Sequence, residues 1–384
     1  MNDVIIVGGG PAGLYAGAKL ARSGASVTLF EEHAGVGEPV HCTGVLAREA
    51  FDEFALPSDA VLNDLTTVRF HAPTAGTIDY STAKVEAVVI DRRRFDRTLA
   101  ALAAAAGVRV RCGDRVSRVD VDADGVTVRA GATVARARAC VLACGASYKI
   151  QRRLGLGIPR LLLHTAQAEL PASRLGDVEV HFGERVAPHG FAWAVPVDRA
   201  GEPFVRVGVM CDRGAGEYFD RILGDVSSRW GVRAGTCRPR QKILPLGPID
   251  RTYTDRVVVL GDAAGLVKPT TGGGIYYSLV SAAAAADVLA GALAAGDLRA
   301  SALAPYETQW RKRLGPELRW QLVLRRIADR LTDEDIDGLF DLAHTDGIMP
   351  LVRKTAAFNH HREFIMALLK HPPARRVLYR AVLA

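Results

Sequence analysis

A glycine-rich turn directly after an apolar N-terminal run constrains this chain more than any other feature. Residues 4–7 are apolar and β-branched, which predicts a buried strand, and Gly8, Gly10 and Gly13 follow at once. Glycines at this spacing permit a tight turn, a close approach of the backbone to a pyrophosphate, and close packing of a helix on the strand. Residues 12–23 predict that helix, whose N-terminal N–H groups attract phosphate.

An acidic residue completes this unit. Residues 26–30 predict a second strand, and Glu31 stands at its end, 18 residues after Gly13. An acid about 20 residues beyond the glycines binds the ribose hydroxyls of a dinucleotide. Because strand, turn, helix, strand and acid occur in this order, we interpret the N-terminus as a dinucleotide-binding unit.

A second glycine-rich signature lies far along the chain. Residues 256–260 predict a strand, residues 261–265 read Gly-Asp-Ala-Ala-Gly, and residues 272–275 read Gly-Gly-Gly-Ile before an apolar helix. Two such signatures indicate that one long dinucleotide is bound by both ends of the sequence. This points to FAD, because an enzyme that binds only NAD has no need of the second signature. A helix that begins near Gly274 would stabilise the negative edge of a reduced flavin by about 0.3–1 kcal/mol when exposed.

Composition excludes several other classes of protein. The net charge of +7 comes without a basic stripe interleaved with aromatic residues, so we expect no nucleic-acid partner. The six cysteines form no C-x-x-C pair, which argues against structural zinc or an iron–sulfur cluster and for a reducing, cytoplasmic compartment. The histidines lack metal-ligand spacing, so we assign no metal. The apolar stretch over residues 279–296 is rich in alanine and carries Asp287, which favours a buried helix over a membrane span.

The pattern of apolar and polar residues along the chain predicts two domains and a C-terminal helical region. Residues 178–182, 191–197 and 203–210 alternate apolar and polar side chains, which indicates an antiparallel sheet that we interpret as the wall of a substrate chamber. Residues 133–137 and 139–143 predict two further strands. The predicted fold class is α/β, with a discontinuous Rossmann-like FAD-binding domain, an antiparallel β-sheet substrate domain and a C-terminal helical region. The expected boundaries are 1–65, 86–158 and 252–300 for the FAD-binding domain, 66–85 and 159–251 for the substrate domain, and 301–384 for the helical region.

These residues resemble the geranylgeranyl reductase family, within the larger group of FAD enzymes shaped like p-hydroxybenzoate hydroxylase. The resemblance rests on the N-terminal fingerprint, on Asp-Arg-x-x-Phe-Asp at residues 91–96, on residues 261–265, and on Lys-Pro-Thr-Thr-Gly-Gly-Gly-Ile at residues 268–275. Residues 188–196 are similar to the P-x-x-Y-x-W-x-F-P stretch that lines the lipid chamber in that family, with Phe191 in place of the tyrosine and Val195 in place of the phenylalanine. The resemblance covers residues 1–300 well and the C-terminal helices loosely.

The glycine motifs and the resemblance together imply a set of site residues. The implied cofactor contacts are Gly8, Gly10, Ala12, Gly13, Glu31, Cys42, Thr43, Val45, Arg92, Val116, Asp262, Gly274 and Ile275. The implied substrate-chamber residues are Phe191, Trp193 and Tyr276. The family places a cysteine near the flavin, and Cys42 matches it, so we assign a catalytic or flavin-tuning role to Cys42 and to the neighbouring His41, which titrates near neutrality.

The resemblance also implies a reaction, namely reduction of isolated C=C bonds in a polyprenyl chain. Reduced FAD would deliver a hydride to one carbon, and an acid or an ordered water would protonate the other. The substrate would be a polyprenyl lipid or diphosphate, and the electron donor NAD(P)H or a ferredoxin-like protein. An FAD-dependent aromatic hydroxylase, a flavoprotein quinone reductase and a non-catalytic flavin-binding protein stay open as alternatives. The apolar and basic segment over residues 364–380 suits either contact with the inner membrane surface or packing of terminal helices.

Overall fold

The computed structural model describes residues 2–232, 237–345 and 347–383. Its strands are β1 (Asn2–Val7), β2 (Val27–Glu31), β3 (Val45–Ala47), β4 (Val61–Leu65), β5 (Thr67–His71), β6 (Thr77–Ser81), β7 (Ala87–Ile90), β8 (Arg109–Cys112), β9 (Val116–Val121), β10 (Val126–Ala130), β11 (Thr133–Leu142), β12 (Leu161–Pro171), β13 (Val178–His181), β14 (Phe191–Arg199), β15 (Glu202–Cys211), β16 (Arg240–Leu246), β17 (Tyr253–Thr254) and β18 (Val257–Val259). Its α-helices are α1 (Pro11–Arg22), α2 (Glu49–Phe54), α3 (Arg92–Ala105), α4 (Lys149–Arg153), α5 (Ala215–Trp230), α6 (Ile275–Ala295), α7 (Ala300–Ala328), α8 (Asp333–His344), α9 (Met349–Thr355), α10 (Arg362–Lys370) and α11 (Pro372–Leu383).

The chain divides into two compact units. Unit 1 comprises Met1–Val40, Arg92–Leu161 and Pro245–Pro316, and unit 2 comprises His41–Asp91, Leu162–Leu244 and Glu317–Ala384. Residues 159–161 and 245–251, predicted in the substrate domain, lie in unit 1, and residues 317–384, predicted in a helical region of their own, lie in unit 2. Residues 41–65 and 86–91, predicted in the FAD-binding domain, also lie in unit 2. The reason is that β3 and β4 pair with β7 in a three-stranded sheet, whose Val89 packs against Val195 and Val197.

Residues 301–316 also differ from the prediction, because they lie in unit 1. Two buried aromatic side chains of α7 bind the region around β18. Tyr306 donates a hydrogen bond to the Val259 carbonyl at 2.6 Å, and the Trp310 indole donates to Thr252 Oγ1 at 3.0 Å. The first part of α7 therefore completes unit 1 instead of opening a separate helical region.

Unit 1 is built on a parallel sheet with strand order β18-β11-β1-β2-β8, as expected for a Rossmann-like domain. The strands predicted near its two glycine signatures are confirmed as β1, β2 and β18. Residues 133–137 and 139–143 were predicted as two strands, but residues 133–142 form the single strand β11, whose first half pairs with β10 and whose second half pairs with β1.

Helix α6 packs beside α1 in unit 1, where Lys19 Nζ lies 2.8 Å from Asp287 Oδ2. Within the described ranges it is the one helix long and apolar enough to cross a membrane, and 56% of its most apolar 18-residue window is buried. Buried positions such as Leu279, Ala285 and Leu289 recur along it at helical spacing. The structure therefore uses α6 as a core helix of unit 1.

Unit 2 is built on a sheet with strand order β16-β12-β15-β14-β13-β5-β6. The predicted strands near residues 178–182, 191–197 and 203–210 are confirmed as β13, β14 and β15, and residues 66–85 supply β5 and β6 at the sheet edge. Pairing is antiparallel between β12 and β15, β15 and β14, β14 and β13, and β5 and β6, and it is parallel between β13 and β5. Strand β12 and helix α5 were not predicted.

The two faces of this sheet have different neighbours. Helix α5 covers one face, where Phe219 and Val226 pack with Val205, Val207 and Val209 in a buried cluster. Because side chains alternate along a strand, the residues between these valines point to the opposite face. The C-terminal helices α8 to α11 form a separate apolar cluster within unit 2.

Candidate cofactor site and candidate chamber face

Backbone atoms crowd two glycines of the turn over residues 8–13 in unit 1. Gly8 has φ +108°, and a Cβ there would lie 2.3 Å from the Ala143 carbonyl oxygen. A Cβ on Gly13 would lie 2.1 Å from the Gly8 carbonyl oxygen. By contrast, nothing lies within 4 Å of a Cβ on Gly10, at the N-terminus of α1. The two crowded glycines form a tight strand-to-helix turn, and the third leaves open space at the helix N-terminus.

Glu31 faces this turn from the end of β2. Its Oε2 accepts a hydrogen bond from the Gly9 N–H at 2.7 Å, and the side chain is largely buried. Its Oε1 accepts from the His33 N–H at 3.0 Å and lies 2.5 Å from His33 Nδ1. The carboxylate is thus fixed beside the glycines, where a ribose-binding acid is required.

The second glycine signature meets the first within unit 1. Strands β1, β11 and β18 are parallel, so both signatures leave the sheet at the same edge. A Cβ on Gly261 would lie 3.5 Å from Ala12 Cβ and 2.6 Å from Ser278 Oγ. A Cβ on Gly274, the N-cap of α6, would lie 2.8 Å from Asp262 Oδ1. Ile275 is the first residue of α6, so its N–H has no acceptor within that helix.

Two residues that the sequence did not point to hold the second signature in place. Tyr148 donates a hydrogen bond to the Asp262 carbonyl at 2.9 Å, and Gln151 Nε2 donates to the Ala263 carbonyl at 3.2 Å. Gln151 is fully buried, and its Oε1 has no hydrogen-bond partner among the described residues. The only sequence signal for this role is a lone glutamine in a short segment that the fold buries.

The remaining predicted residues of unit 1 lie on other elements. Arg92 opens α3, and its Nη2 lies 2.9 Å from Asp96 Oδ2. Burial raises the pKa of Asp96, and the charge of Arg92 opposes that rise. Val116 opens β9. Tyr276 is buried, and its hydroxyl accepts a hydrogen bond from Arg313 at 2.9 Å, which fits packing as well as the predicted chamber role.

The residues of unit 1 fit a bound dinucleotide. The open space at Gly10 adjoins the N-terminus of a 12-residue helix, and no side chain of the described residues caps that N-terminus. A helix N-terminus with free N–H groups stabilises phosphate. The acid at Glu31 and the uncapped N-terminus of α6 supply the two further features that FAD requires, a ribose acceptor and N–H donors for the flavin edge.

The predicted chamber residues of unit 2 lie on the sheet face opposite α5. Phe191 and Trp193 alternate with Ala192 and Ala194, which belong to the α5-facing cluster. Trp193 lies over Gly208 on β15, where a Cβ would be 2.3 Å from the indole Cζ2. The indole Nε1 is buried and has no hydrogen-bond partner in the part of the chain that the structure describes.

The turn over residues 42–44, here called the cysteine turn, reaches the same face of unit 2. Cys42 Sγ accepts a hydrogen bond from the Gly44 N–H at 3.3 Å, and Val45 begins β3 directly afterwards. Thr43 Oγ1 donates to Gln167 Oε1 at 3.0 Å, and Gln167 is the β12 partner of Gly208. The structure therefore brings Cys42 and Thr43 to the face that carries Trp193.

His41 has a different setting from Cys42. Its Nε2 lies 3.1 Å from the Arg240 carbonyl oxygen, which can only accept a hydrogen bond. Burial lowers the pKa of His41, and the positive charge of Lys242 lowers it further. The imidazole is therefore neutral at neutral pH, with its Nε2–H directed to the backbone.

A polar cluster on the α5 side of the sheet was not predicted. Glu179 accepts hydrogen bonds from Trp230 Nε1 and Arg229 Nη2, at 2.9 and 2.8 Å, and lies 2.9 Å from His181 Nε2. His71 stacks on His181 with 4.0 Å between ring centroids. These contacts overcome burial and lower the pKa of Glu179 to about 2, while burial and His181 lower the pKa of His71 to about 4. Because Arg229 already neutralises the carboxylate, we assign the cluster no metal.

Comparisons with known proteins agree with this architecture. The family model described as lycopene cyclase protein matches residues 3–344. Digeranylgeranylglycerophospholipid reductase 2 of Methanothermobacter thermautotrophicus is 32% identical over 360 residues, which cover 88% of this chain and 90% of that protein.

Solved structures of other proteins share the fold, and two of them illustrate it. The crystal structure of a geranylgeranyl bacteriochlorophyll reductase-like protein from Thermoplasma acidophilum has a TM-score of 0.86 at 23% identity and covers 99% of both chains. Halogenase PltM in complex with phloroglucinol and FAD has a TM-score of 0.71 at 16% identity, covering 99% of this chain and 85% of its own. These likenesses confirm the predicted α/β fold class. The identity and coverage of curated relatives such as the Methanothermobacter reductase show that the chain belongs to the geranylgeranyl reductase family, as its motifs predict.

Proposed function

We propose that this protein is an FAD-dependent reductase that saturates C=C bonds of a polyprenyl, geranylgeranyl-type lipid. The observation that carries the proposal is the contact between the two glycine signatures in unit 1, in a chain whose curated relative is named as a reductase of a digeranylgeranyl lipid. A bound FAD, once reduced, supplies the hydride for such a reaction.

The residues of unit 1 have distinct proposed roles toward FAD. The N–H groups at the start of α1, including that of Ala12, bind the pyrophosphate, and Glu31 accepts from the adenosine ribose. Asp262 and Arg92 bind the ribityl and pyrophosphate region, and Val116 lies on the adenine side. The N–H groups of Gly274 and Ile275 bind the pyrimidine edge of the flavin and stabilise its negative charge.

Cys42, Thr43 and Val45 are proposed contacts of the flavin ring, and Cys42 is the proposed acid. Saturation of one double bond adds a hydride to one carbon and a proton to the other, so the thiol of Cys42 would give its proton and regain it from water. His41 would act beside it as a neutral imidazole. Phe191 and Trp193 are proposed chamber walls, because an isolated alkene is a poor hydride acceptor and needs a site that orients it and excludes water.

The electrons come, in this proposal, from NAD(P)H or a ferredoxin-like protein. The substrate is a polyprenyl lipid or diphosphate. An apolar substrate of this kind also supports a cytoplasmic enzyme that contacts the inner membrane surface peripherally through its basic C-terminal helices.

One anaerobic experiment tests the reaction directly. The protein is purified, its FAD is identified by absorption and reduced with dithionite, and a geranylgeranylated glycerophospholipid is added. We expect reoxidation of the flavin together with a product heavier by multiples of two hydrogens in the mass spectrum. The Cys42→Ser variant should retain FAD and lose most of this turnover, whereas Cys112→Ser, at an exposed cysteine of β8, should behave as the unmodified protein.

Other outcomes would favour the alternatives. Rapid reoxidation by a quinone, with no change in the lipid, would support a quinone reductase. Oxygen-dependent reoxidation stimulated by a phenol, with a hydroxylated product, would support an aromatic hydroxylase. If the protein retained FAD but reacted with none of these acceptors, the result would support a non-catalytic flavin-binding protein.

A further inference from the structure

The cysteine turn of unit 2 is held from beneath by a buried arginine. Arg206 lies on β15 and is only 4% exposed. Its Nη1 donates hydrogen bonds to the Thr43 carbonyl at 2.6 Å and to the Ile90 carbonyl at 2.9 Å. Its Nε donates to Glu169 Oε2 at 2.8 Å. One guanidinium thus joins the cysteine turn, the end of β7 and a carboxylate on β12.

The arginine belongs to a chain of alternating charges. Glu169 also accepts two hydrogen bonds from Arg199, at 2.6 and 3.0 Å, and Arg199 Nη1 lies 2.7 Å from Asp91 Oδ2. Burial would raise the pKa of Glu169, but the hydrogen bonds and charges of Arg199 and Arg206 outweigh burial and lower it. The four side chains Arg206, Glu169, Arg199 and Asp91 carry no net charge, and the carboxylate stays ionised between its two arginines.

Gly44 shows how closely the turn fits this arginine. Its φ is +72°, and a Cβ there would lie 2.5 Å from Arg206 Nη1 and 2.7 Å from the Ile90 carbonyl oxygen. Its N–H donates to Cys42 Sγ, and its carbonyl accepts from the Ile90 N–H at 2.8 Å. The position of the Cys42 sulfur therefore follows from the position of Gly44, and Gly44 is enclosed by Arg206 and Ile90.

We propose that Arg206 is a positioning residue, which fixes the Cys42 thiol by holding the Thr43 carbonyl and is itself oriented by Glu169 and Arg199. A buried ion pair is a weak source of stability, because desolvation of the charges cancels most of their attraction. Its worth here is orientation, since a guanidinium donates in fixed directions to three acceptors at once. The inference rests on the proposed function only in the role that it gives Cys42.

Site-specific alkylation of Cys42 tests the positioning directly and needs no turnover. Holoprotein is treated with iodoacetamide from pH 6 to 10, and modification of the Cys42 peptide is followed by mass spectrometry. In Arg206→Met the turn loses its anchor, and the Gly44 N–H is no longer held against the Cys42 sulfur. We expect alkylation of Cys42 at pH 7 to slow by roughly three- to tenfold, because the reacting sulfur loses a hydrogen bond that activates it. Arg206→Lys, with one point donor, should restore part of the difference.

A matched control and a milder variant keep the test decisive. Arg69→Met removes an exposed ion pair with Asp79 on the same sheet and should leave the Cys42 profile unchanged. Glu169→Gln keeps the size of the side chain but loses the charge that orients Arg206, so it should shift the profile in the same direction by less. If Arg206→Met does not fold, the alkylation profile of Glu169→Gln decides whether Arg206 positions Cys42. A folded variant with the unmodified protein's alkylation profile would overturn the proposal.

Measurements of lipid turnover distinguish a failure of this inference from a failure of the proposed function. If the protein reduces the lipid, Arg206→Met should lower kcat by roughly tenfold or more and change KM by less than about threefold, because the arginine acts on the thiol and not on lipid binding. A rise in KM with unchanged kcat would contradict a positioning role. If the unmodified protein reduces no lipid, the proposed function fails, and the alkylation profiles still decide the role of Arg206.

Discussion

Gly8 and Gly24 both have positive φ, but an added Cβ would contact other residues only at Gly8. A Cβ on Gly8 would collide with the Ala143 carbonyl, whereas nothing lies within 4 Å of a Cβ on Gly24, where φ is +93°. Comparing alanine at the two positions separates backbone strain from steric exclusion. Strain alone costs roughly 1 kcal/mol, and Gly8→Ala adds a collision in the turn that we propose binds the pyrophosphate.

We therefore expect Gly8→Ala to weaken FAD binding by more than about tenfold and Gly24→Ala to leave it within about twofold. The measurement is fluorescence titration of the apoprotein with FAD, with circular dichroism to confirm that both variants fold. Equal FAD affinities for the two folded variants would show that the crowding at Gly8 is irrelevant to the cofactor.

Gly208 makes room for a side chain instead of a cofactor. The Cβ of an alanine there would collide with the indole of Trp193. Overpacking of this kind lowers the free energy of unfolding by about 1–3 kcal/mol. Gly208→Ala should retain FAD, because it lies in unit 2, and should slow lipid reduction by roughly tenfold through displacement of a chamber wall. Gly224→Ala, at an open and exposed position of α5, is the control and should leave the rate unchanged. A Gly208→Ala enzyme with an unaltered lipid rate would remove Trp193 from the chamber.

At the scale of elements, the sequence predicted the strands and helices that carry strong local signals. The β1-α1-β2 unit combines a β-branched run, glycines and an acid, and each lies where it was predicted. Helix α5 was missed although its apolar residues recur at helical spacing, because its segment directly follows the strong strand pattern of β15. The contacts of Arg206 were missed because its partners Thr43, Ile90 and Glu169 are distant in sequence, although a charge inside an otherwise apolar strand is a signal.

The junction of β5, β13 and α5 predicts a dependence of stability on pH. The folded pKa of His71 is about 4, below its ordinary value of 6.5, so the unfolded chain binds a proton first as the pH falls. Its contribution to stability is complete above about pH 6.5 and is lost as the pH falls toward about 4. Glu179, with a folded pKa of about 2 against 4.5, continues this loss from about pH 4.5 downward.

We accordingly expect the urea midpoint to fall between pH 7 and pH 4.5, and His71→Phe, which keeps a ring beside His181, to flatten that fall. His360→Phe is the control, because His360 is more than half exposed and should leave the slope unchanged. Parallel pH profiles for the unmodified protein and His71→Phe would rule out His71 as the titrating group.

At the scale of the whole molecule, the family and the α/β class followed from short motifs, but the division of the chain into units did not. Residues 41–65 follow the glycine unit directly in sequence, yet their strands pair with β7. No local pattern distinguishes these alternatives, because the outcome depends on which sheet buries Val89. Motifs report local geometry, whereas the boundary between units depends on pairing between distant segments.

The two-unit organisation leads to a prediction about the effect of FAD on stability. A ligand that binds only the native state stabilises it by about 2.7 kcal/mol when its free concentration is 100 times Kd. If the proposed cofactor contacts of unit 1 are correct, FAD should slow hydrogen exchange in Asn2–Val7 and Pro11–Arg22 and leave the terminal helices Arg362–Lys370 and Pro372–Leu383 little changed. NAD at the same concentration should have a much smaller effect, because it lacks the flavin that the start of α6 would bind. Protection confined to unit 2, or equal protection by NAD, would contradict the assignment of the two glycine signatures to one FAD.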